Sequence, residues 1–327
     1  DVRIALNERG QEWLAHVGSV ADLSRFLMTG VDTGFMLIQG QLALASVSLG
    51  RPMVWPIAVS KSFQSLWEPR VFYKYVTEPE TAPTVARMIQ TGSVPFRSSE
   101  YTQATRTGGL IQTIPGVRAA GERAGLMFDT FLDVSRIEMQ KAMGPVARQA
   151  ISRKSLPADQ VYRDLTKHID NMMGMGSSIQ LGVSTTRRQL ERAFLLFAPR
   201  YRRAIAALMV SAAQGGIRGA EARKSLAALI LSGEAFMSAL AVGLGQKERI
   251  IPTKDNPIPS MFNPTGGGFM TVRIGNTEAG SGGAVRSNLR LFGEIGEGAS
   301  EEGIRGAFEG ALRGFRGITS PLVGLGY

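Results

Sequence analysis

Two histidines carry most of the catalytic chemistry that this sequence could offer, because histidine titrates near neutral pH and also binds metals. His168 lies four residues after Asp164 and two before Asp170, and a His–Asp pair can act as a general base. No serine or cysteine in a nucleophile-elbow motif accompanies it, and His16 has even less support. The sequence therefore favours a surface or helix-capping role for His168 and indicates no catalytic residue.

The sequence also contains few residues that could bind a metal or a cofactor. The chain contains no cysteine, which excludes disulfide bonds and thiolate metal ligands. The glycine-rich segment 174–182 has no Lys-Ser or Lys-Thr pair, so it is not a phosphate-binding loop. Gly266–Gly268 precedes a strand instead of joining a strand to a helix, so it is not a dinucleotide motif. We expect turns or close packing at both segments, no metal, no cofactor and no enzymatic activity.

Arginine is the strongest physicochemical signal. The net charge is +10 with a pI near 10.2, and residues 187–224 hold nine basic and two acidic residues, a net +7. Arginine forks suit phosphate groups, but no base-recognition motif is visible. The cluster thus indicates DNA bound without sequence specificity, an anionic membrane surface, or simply a solvated or inter-subunit helix face. Its residues are Arg187, Arg188, Arg192, Arg200, Arg202 and Arg203.

Two apolar runs, 31–50 and 225–245, are each about as long as the ~20 residues that cross a bilayer. Each contains one carboxylate, Asp32 near an end and Glu234 in the middle, and a carboxylate at mid-bilayer needs compensation. Both runs are rich in alanine, glycine and serine. We expect buried core helices, with conditional membrane insertion as the alternative.

The spacing of apolar residues predicts helices along most of the chain. The clearest runs from Val117 to Met143, with a polar face that includes Asp129, Asp133 and Arg136. After residue 250, four prolines forbid helix, and Phe269–Ile274 alternates as a strand bounded by turns.

These patterns predict a mainly α fold, a multi-helix assembly with a small β-strand or hairpin near residues 262–276. The chain opens with Asp1 and no signal peptide, so we expect a piece of something longer. The expected segments are a helical body over 1–250 with sub-boundaries near 92–116 and 144–157, a Pro/Gly-rich β-containing cap over 251–295, and a C-terminal helix with a glycine-rich tail over 296–327.

Four stretches, taken in order, are similar to one known family: ERAGLMFDTFLDVSRIEM, HIDNMMGMGSS, RAFLLFAPRYRRAIAAL and FNPTGGGFMTVRIGNTE. They resemble the helical C-terminal region of the large polyvalent proteins of tailed bacteriophages, over roughly residues 20–295. The sequence AGSGGAV at 279–285 departs from that family's pattern. The family-motif positions are Phe197, Pro199, Asn263, Pro264, Phe269, Arg273, Gly275, Asn276 and Thr277.

The resemblance implies a structural or ejected internal virion protein, part of a larger polyprotein and carried in the capsid interior or near the portal and tail. It implies no enzymatic activity for these residues. The expected partners are other virion proteins, further copies of the chain, DNA, and the host membrane on delivery into the cell. The alternative is an enzyme or accessory module of phage anti-restriction or host takeover.

Overall fold

Helices dominate the computed structural model, which describes residues 46–97, 115–154, 156–175, 199–254, 257–275, 277–280, 286–294, 297 and 300. The predicted mainly α fold is confirmed. A 3-10 turn, Ser46–Leu49, precedes the first helix. The helices are α1 Val54–Trp67, α2 Val71–Thr77, α3 Ala82–Gln90, α4 Pro115–Ala142, α5 Gly144–Lys154, α6 Ala158–Met172, α7 Pro199–Ala213, α8 Gly216–Gly243 and α9 286–294.

Proline marks where many of these helices begin. Pro115 and Pro199 are the first residues of α4 and α7, Pro83 and Pro145 are the second residues of α3 and α5, and Pro157 is the N-cap of α6. The first turn tolerates proline because its N–H groups have no partner inside the helix, and the fixed φ of proline already suits the helix. Proline residues that read as breaks in the sequence are therefore also helix starts.

The described residues up to Arg223 form one compact unit, built around α4. The helix α4 packs against α1, and α6 packs against α7. Between α1 and α4, the Ser62 hydroxyl donates a 2.8 Å hydrogen bond to the carbonyl oxygen of Met127. The largest fully buried side chains lie on α3, α4 and α6, or next to them: Met88, Phe131, Leu132, Arg136, Ile137, Met139, Met143, Leu165, Ile169, Met172 and Met173.

The described residues from Lys224 onward form a second compact unit, and the division between the two units falls within α8. Its two strands, β1 Thr271–Ile274 and β2 Thr277–Gly280, pair antiparallel with Ile274 opposite Thr277. Gly275 turns the chain between them with a φ of +61°, a left-handed conformation that favours glycine. The strands pack through Val272 against the C-terminal half of α8.

The side chain of Gln246 extends this small sheet. Its amide nitrogen donates to the carbonyl oxygen of Arg273 at 2.6 Å, and its amide oxygen accepts from the Arg273 backbone N–H at 2.9 Å. An amide group offers the same donor and acceptor as a peptide unit. Gln246 thus satisfies an edge position of β1 as a neighbouring strand would.

Two sequence expectations differ from the structure at the level of single residues. The strand begins at Thr271 and not at Phe269, because Met270 has a φ of +51° and the Thr271 N–H turns back to Gly268. The expected polar face of α4 is wrong at Asp129, Asp133 and Arg136, which are 3%, 1% and 0% exposed. Neighbouring helices and residues 93–97 cover that face.

Candidate functional site

The predicted arginine cluster lies partly outside the described residues. Arg187, Arg188 and Arg192, together with the motif residue Phe197, fall in the segment 176–198, which the structure does not describe. Arg200 and Arg202 lie at the N-terminal end of α7, and Arg203 on the same helix is half-buried. Contact of this cluster with an anionic partner stays a prediction.

The predicted motif positions in the second unit that can be described have packing or turn roles. The Asn263 carboxamide oxygen accepts from the Thr265 N–H at 3.1 Å and from its hydroxyl at 2.9 Å, which holds a turn next to Pro264. Phe269 is buried and Arg273 is exposed. Pro199 starts α7 and Thr277 starts β2, whereas Asn276 lies outside the described residues.

A buried polar constellation in the first unit surrounds Arg136, a fully buried residue of α4. Its Nε donates to Oδ1 of Asp170 at 2.8 Å, and Nη1 donates to Oδ1 of Asp133 at 2.8 Å. Its Nη2 donates to the Val94 carbonyl oxygen at 2.5 Å and to the Ser93 hydroxyl. Every nitrogen of the guanidinium group therefore donates at least one hydrogen bond inside the protein.

The two carboxylates also accept hydrogen bonds from the backbone of residues 93–97. The Val94 N–H donates to Oδ2 of Asp170 at 2.8 Å, and the Arg97 N–H donates to Oδ2 of Asp133 at 2.7 Å. The Arg136 guanidinium also lies over the Phe96 ring, 5.1 Å from its centroid. We call this set Arg136, Asp133, Asp170 and Ser93 the Arg136 network. It ties residues 93–97 to α4 and α6.

Burial and charge pull the ionisation of these groups in opposite directions. Burial raises the pKa of Asp133 to about 7, although Arg136 opposes this effect. Burial likewise raises the pKa of Asp170, again against Arg136. Burial by itself would lower the pKa of Arg136, but Asp170 and Asp133 hold that pKa above its usual value. A single guanidinium thus serves two buried carboxyl groups and stays charged.

His168 does not have the predicted surface or helix-capping role. It lies inside α6 and is 0% exposed, and burial lowers its pKa to about 4 although Glu221 opposes the shift. The neighbouring Asp170 accepts hydrogen bonds from Arg136 and Val94. A neutral, enclosed imidazole cannot meet a substrate from solvent, so the structure gives no support to His168 as a general base.

A second buried ion pair lies in the surroundings of His168. Arg51 Nη2 and Glu221 Oε2 are 2.8 Å apart with exposures of 8% and 1%, and Arg51 Nη1 lies 3.7 Å from the sulfur of Met139. The pair connects Arg51, between the 3-10 turn and α1, to α8 and lies against α4. It joins segments far apart in sequence, as the Arg136 network does.

A third polar cluster joins α2, α3 and α4. The Tyr75 hydroxyl donates to Glu138, and Lys141 Nζ donates to the hydroxyls of Thr81 at 2.9 Å and Tyr75 at 3.2 Å. Burial, followed by the Glu138 carboxylate, raises the pKa of Tyr75. The phenol therefore keeps its proton and acts as a hydrogen-bond donor between helices.

One groove of the first unit has exposed cationic side chains. It lies between α3 and α6, measures about 400 Å³ and contains the guanidinium of Arg87 stacked 4.4 Å from the Tyr162 ring centroid. Its remaining lining residues are Gln90, Thr91, Ala158, Asp159 and Arg163. Within the described residues, no group of three or more histidine, aspartate or glutamate side chains could hold a metal ion.

Comparison with known proteins gives no match to a protein-family model, a curated protein or a solved structure. The resemblance to the polyvalent phage proteins therefore stays a prediction. The Arg136 network was missed from the sequence, because Asp133 and Arg136 lie three residues apart on a helix, as exposed salt bridges do. Asp129 precedes them by one helix turn on the same face, so the sequence shows the polar stripe of a solvated helix and carries no signal of their burial.

Proposed function

We propose that this chain is a non-enzymatic structural or ejected internal virion protein of a tailed bacteriophage, and part of a larger polyprotein. The observation that carries the non-enzymatic part is the use of its buried charges. Arg136 and Arg51 bind carboxylates on other segments and hold helices together. Charges engaged in this way stabilise a scaffold, and these buried groups do not face a substrate. The phage setting is supported by the resemblance of the sequence.

An anionic partner is supported by the charge of the chain. The net charge of +10 is concentrated in residues 187–224, and a basic surface of this kind attracts the phosphates of DNA or of membrane lipids. Packaged DNA surrounds a protein inside a capsid, so the partner would be DNA contacted without regard to base sequence.

Assembly with other virion proteins or with further copies of the chain is supported by exposed apolar side chains. Leu231 and Phe236 on α8 are 68% and 64% exposed, and Ile258 in the second unit is 56% exposed. Apolar side chains that share an exposed stripe, as Leu231 and Phe236 do on α8, are typical of protein or membrane contacts. The same surface would meet the host membrane when the protein is delivered into the cell.

Peptide mass spectrometry of purified virions tests this function most directly. We expect peptides from both units of the chain in particles that survive nuclease and protease treatment of their exterior. A matched sample of lysate proteins removed during purification controls for carry-over. Absence of these peptides from the particles, with their presence in the infected cell, would overturn the virion role and favour the anti-restriction or host-takeover alternative.

Self-association of the purified chain is the second test. Sedimentation measured over a range of protein and salt concentrations should reveal oligomers. A chain that remains monomeric at every concentration, and that binds neither DNA nor liposomes at low salt, would contradict the proposed function.

A further inference from the structure

The helix α8 is apolar around its whole circumference over residues 225–243. This stretch contains one charged residue, Glu234, at its centre, and otherwise only apolar residues, glycines and three serines. A helix that is apolar on all sides belongs in a protein core or in a bilayer, since a helix at the surface of a soluble protein keeps one polar face. By length and composition α8 could cross a membrane.

The exposed side chains of α8 argue against a core position. They form a continuous stripe at helical spacing with no charged residue, and Leu231 and Phe236 are 68% and 64% exposed. The opposite side is packed, for Met237 and Ala241 are buried against Met261 and Val272 of the same unit. The exposed stripe consists of Ala227, Leu231, Ala235, Phe236, Ala239, Val242 and Gly243.

Three further features fit a lipid bilayer as the occupant. The apolar stretch 225–243 of α8 is about 28 Å long at 1.5 Å per residue, which is close to the ~30 Å hydrocarbon core. Exposed cations lie on both sides of the apolar stretch, Lys224 before it and Lys247 after it, where they would meet anionic headgroups. The Ser232 hydroxyl donates to the Ala228 carbonyl oxygen at 2.5 Å, so it needs no water.

A second copy of the chain fits these features less well. Docking of two copies requires one apolar face, whereas residues 225–243 of α8 are apolar on their packed and exposed faces alike, and Glu234 is the one charged residue between those faces. The paired cationic ends would also repel those of an aligned neighbour. A bilayer accounts for the full circumference, the length and both flanking charges.

Glu234 is the group that opposes insertion. It lies between the exposed Leu231 and the buried Met237, each three residues away, and its neighbours Ile230 and Ser238 are uncharged. The hydrophobic residues that pack on this half of α8 from outside the helix are Met261, Val272 and Ile250. Among the described residues Glu234 has no hydrogen bond and no salt bridge. An ionised carboxylate at mid-bilayer is unfavourable, whereas its protonated form is neutral.

We infer that α8 is a conditional transmembrane helix for anionic bilayers, and that protonation of Glu234 permits its insertion. The exposed stripe contacts the bilayer first, and the cap then releases Met237 and Ala241. This inference rests on the proposed delivery function, because it names the lipid bilayer as the partner of α8 and acid as the trigger. It can nevertheless be measured on the purified chain without any phage particle.

The lack of cysteine allows a single probe to report on α8. The substitution Ala235→Cys, labelled with a polarity-sensitive fluorophore, places the probe on the exposed stripe beside Glu234. The control Gln149→Cys carries the same label at an exposed position of α5. Vesicles of phosphatidylcholine with phosphatidylglycerol, and of phosphatidylcholine alone, are added to the full chain between about pH 7 and pH 5.

The probe at Ala235→Cys should shift to a bilayer environment on the anionic vesicles as the pH falls, and lipid quenchers at mid-bilayer should quench it. One proton limits the gain in partitioning to about tenfold per pH unit. Glu234→Gln should insert at neutral pH and lose that dependence, and Glu234→Lys should not insert. The probe at Gln149→Cys should remain in water throughout.

Four results would overturn the inference. The first is a probe that stays in water at low pH. The second is a probe that is quenched only by quenchers at the interface, and the third is a Glu234→Gln variant that keeps the full pH dependence of the parent. The fourth is a probe shift without vesicles together with a larger sedimenting species, which assigns the stripe to a second copy. Any of these, alongside virion peptides found by mass spectrometry, removes the membrane role and leaves the proposed virion function standing.

Discussion

The guanidinium group of Arg136 lies where water does not reach it, so its hydrogen bonds decide whether its burial is tolerated. Removing two or more charges from water costs several kcal/mol per ion, which attraction offsets only when geometry is good and all donors are used. Here Asp170, Asp133, Ser93 and Val94 accept from Arg136. The network therefore stabilises the fold only as a complete set.

Arg136→Met should destabilise the first unit strongly. It leaves the carboxyl groups of Asp133 and Asp170 buried without a cation, and breaking such a pair costs about 3–5 kcal/mol. Urea unfolding measures the loss. The matched control is Arg118→Met, whose partner Glu122 is 62% exposed and whose loss should be below about 0.5 kcal/mol. Equal losses for the two variants would show that the buried network contributes nothing.

His168 should make stability depend on acidity. Its pKa is about 4 in the folded chain and near 6.5 when unfolded. As the pH falls from 6.5 to 4, His168 binds a proton in the unfolded state while it remains neutral in the folded state. The free energy of unfolding therefore decreases by about 3 kcal/mol. Asp133 acts in the opposite sense, because its pKa is raised to about 7 in the folded chain. Its protonated form stabilises the folded state at low pH, and this stabilisation is lost as the pH rises from 4 to 7.

The variant His168→Gln separates these two contributions. The difference in free energy of unfolding between the parent chain and the variant, measured in urea, should fall by about 3 kcal/mol from pH 7 to pH 4. The contribution of Asp133 is common to both chains and cancels. A difference that does not change with pH would mean that His168 is solvated in the folded chain.

At the scale of elements, the junction of α7 and α8 is tighter than its sequence indicates. The Arg223 guanidinium donates to the carbonyl oxygens of Ala212 at 2.7 Å and Gln214 at 2.9 Å, which satisfies carbonyls at the end of α7. Gly219 makes the approach possible, since a Cβ there would lie 2.0 Å from the Gln214 carbonyl oxygen. Gly215 and Gly216 mark the turn in the sequence, but the close contact comes from Gly219.

Gly219→Ala should therefore destabilise the α7–α8 junction by about 1–3 kcal/mol, because backbone atoms must move to admit the methyl group. The matched control is Gly243→Ala in the last turn of the same helix, where a Cβ would meet nothing within 4 Å. Alanine there should be neutral or stabilising by up to about 1 kcal/mol. Thermal or urea unfolding of both variants tests the pair, and equal effects would mean that the junction relaxes without cost.

At the scale of the whole molecule, the excess of positive charge should appear as salt-dependent DNA binding. If the six clustered arginines each contact a phosphate, the logarithm of the affinity falls against the logarithm of salt with a slope of about −5. Changing Arg187, Arg188 and Arg192 to glutamine should reduce the slope to about −3. Titrations of duplexes with unrelated sequences should give equal affinities.

The control for this prediction keeps the same net charge as the variant. Changing Arg118, Arg148 and Arg153 to glutamine removes three exposed cations outside the cluster and should leave the slope near −5. If both triple variants weaken binding equally, net charge and not the cluster drives the interaction. If neither binds DNA more weakly, the cluster is a solvated or inter-subunit face.

Local sequence patterns were sufficient to predict the class of the fold and the position of its β element. Helical spacing and the prolines between helices led to the mainly α fold, and the turn and alternation near residue 270 indicated the hairpin element, because both depend on neighbouring residues alone. The first residue of β1 was predicted wrongly, because a methionine in the sequence does not indicate that its φ will be positive, as it is at Met270. Long-range pairing was decided only in three dimensions: Arg136 and Asp170 are thirty-four positions apart.

Burial of polar groups is the property that the sequence did not determine. A charged residue on a helix is read as solvated because its neighbours along the helix cannot show what packs over them, so Arg136, Asp133 and His168 were all placed on a wet surface. The burial of Arg136 and Asp133 depends on α6 and residues 93–97 closing over α4, whereas His168 is buried on α6 near Arg51 and Glu221. In α8 the opposite occurred: the apolar sequence indicated a core helix, whereas the tertiary structure left Leu231 and Phe236 uncovered, because the packing neighbours reach one side only.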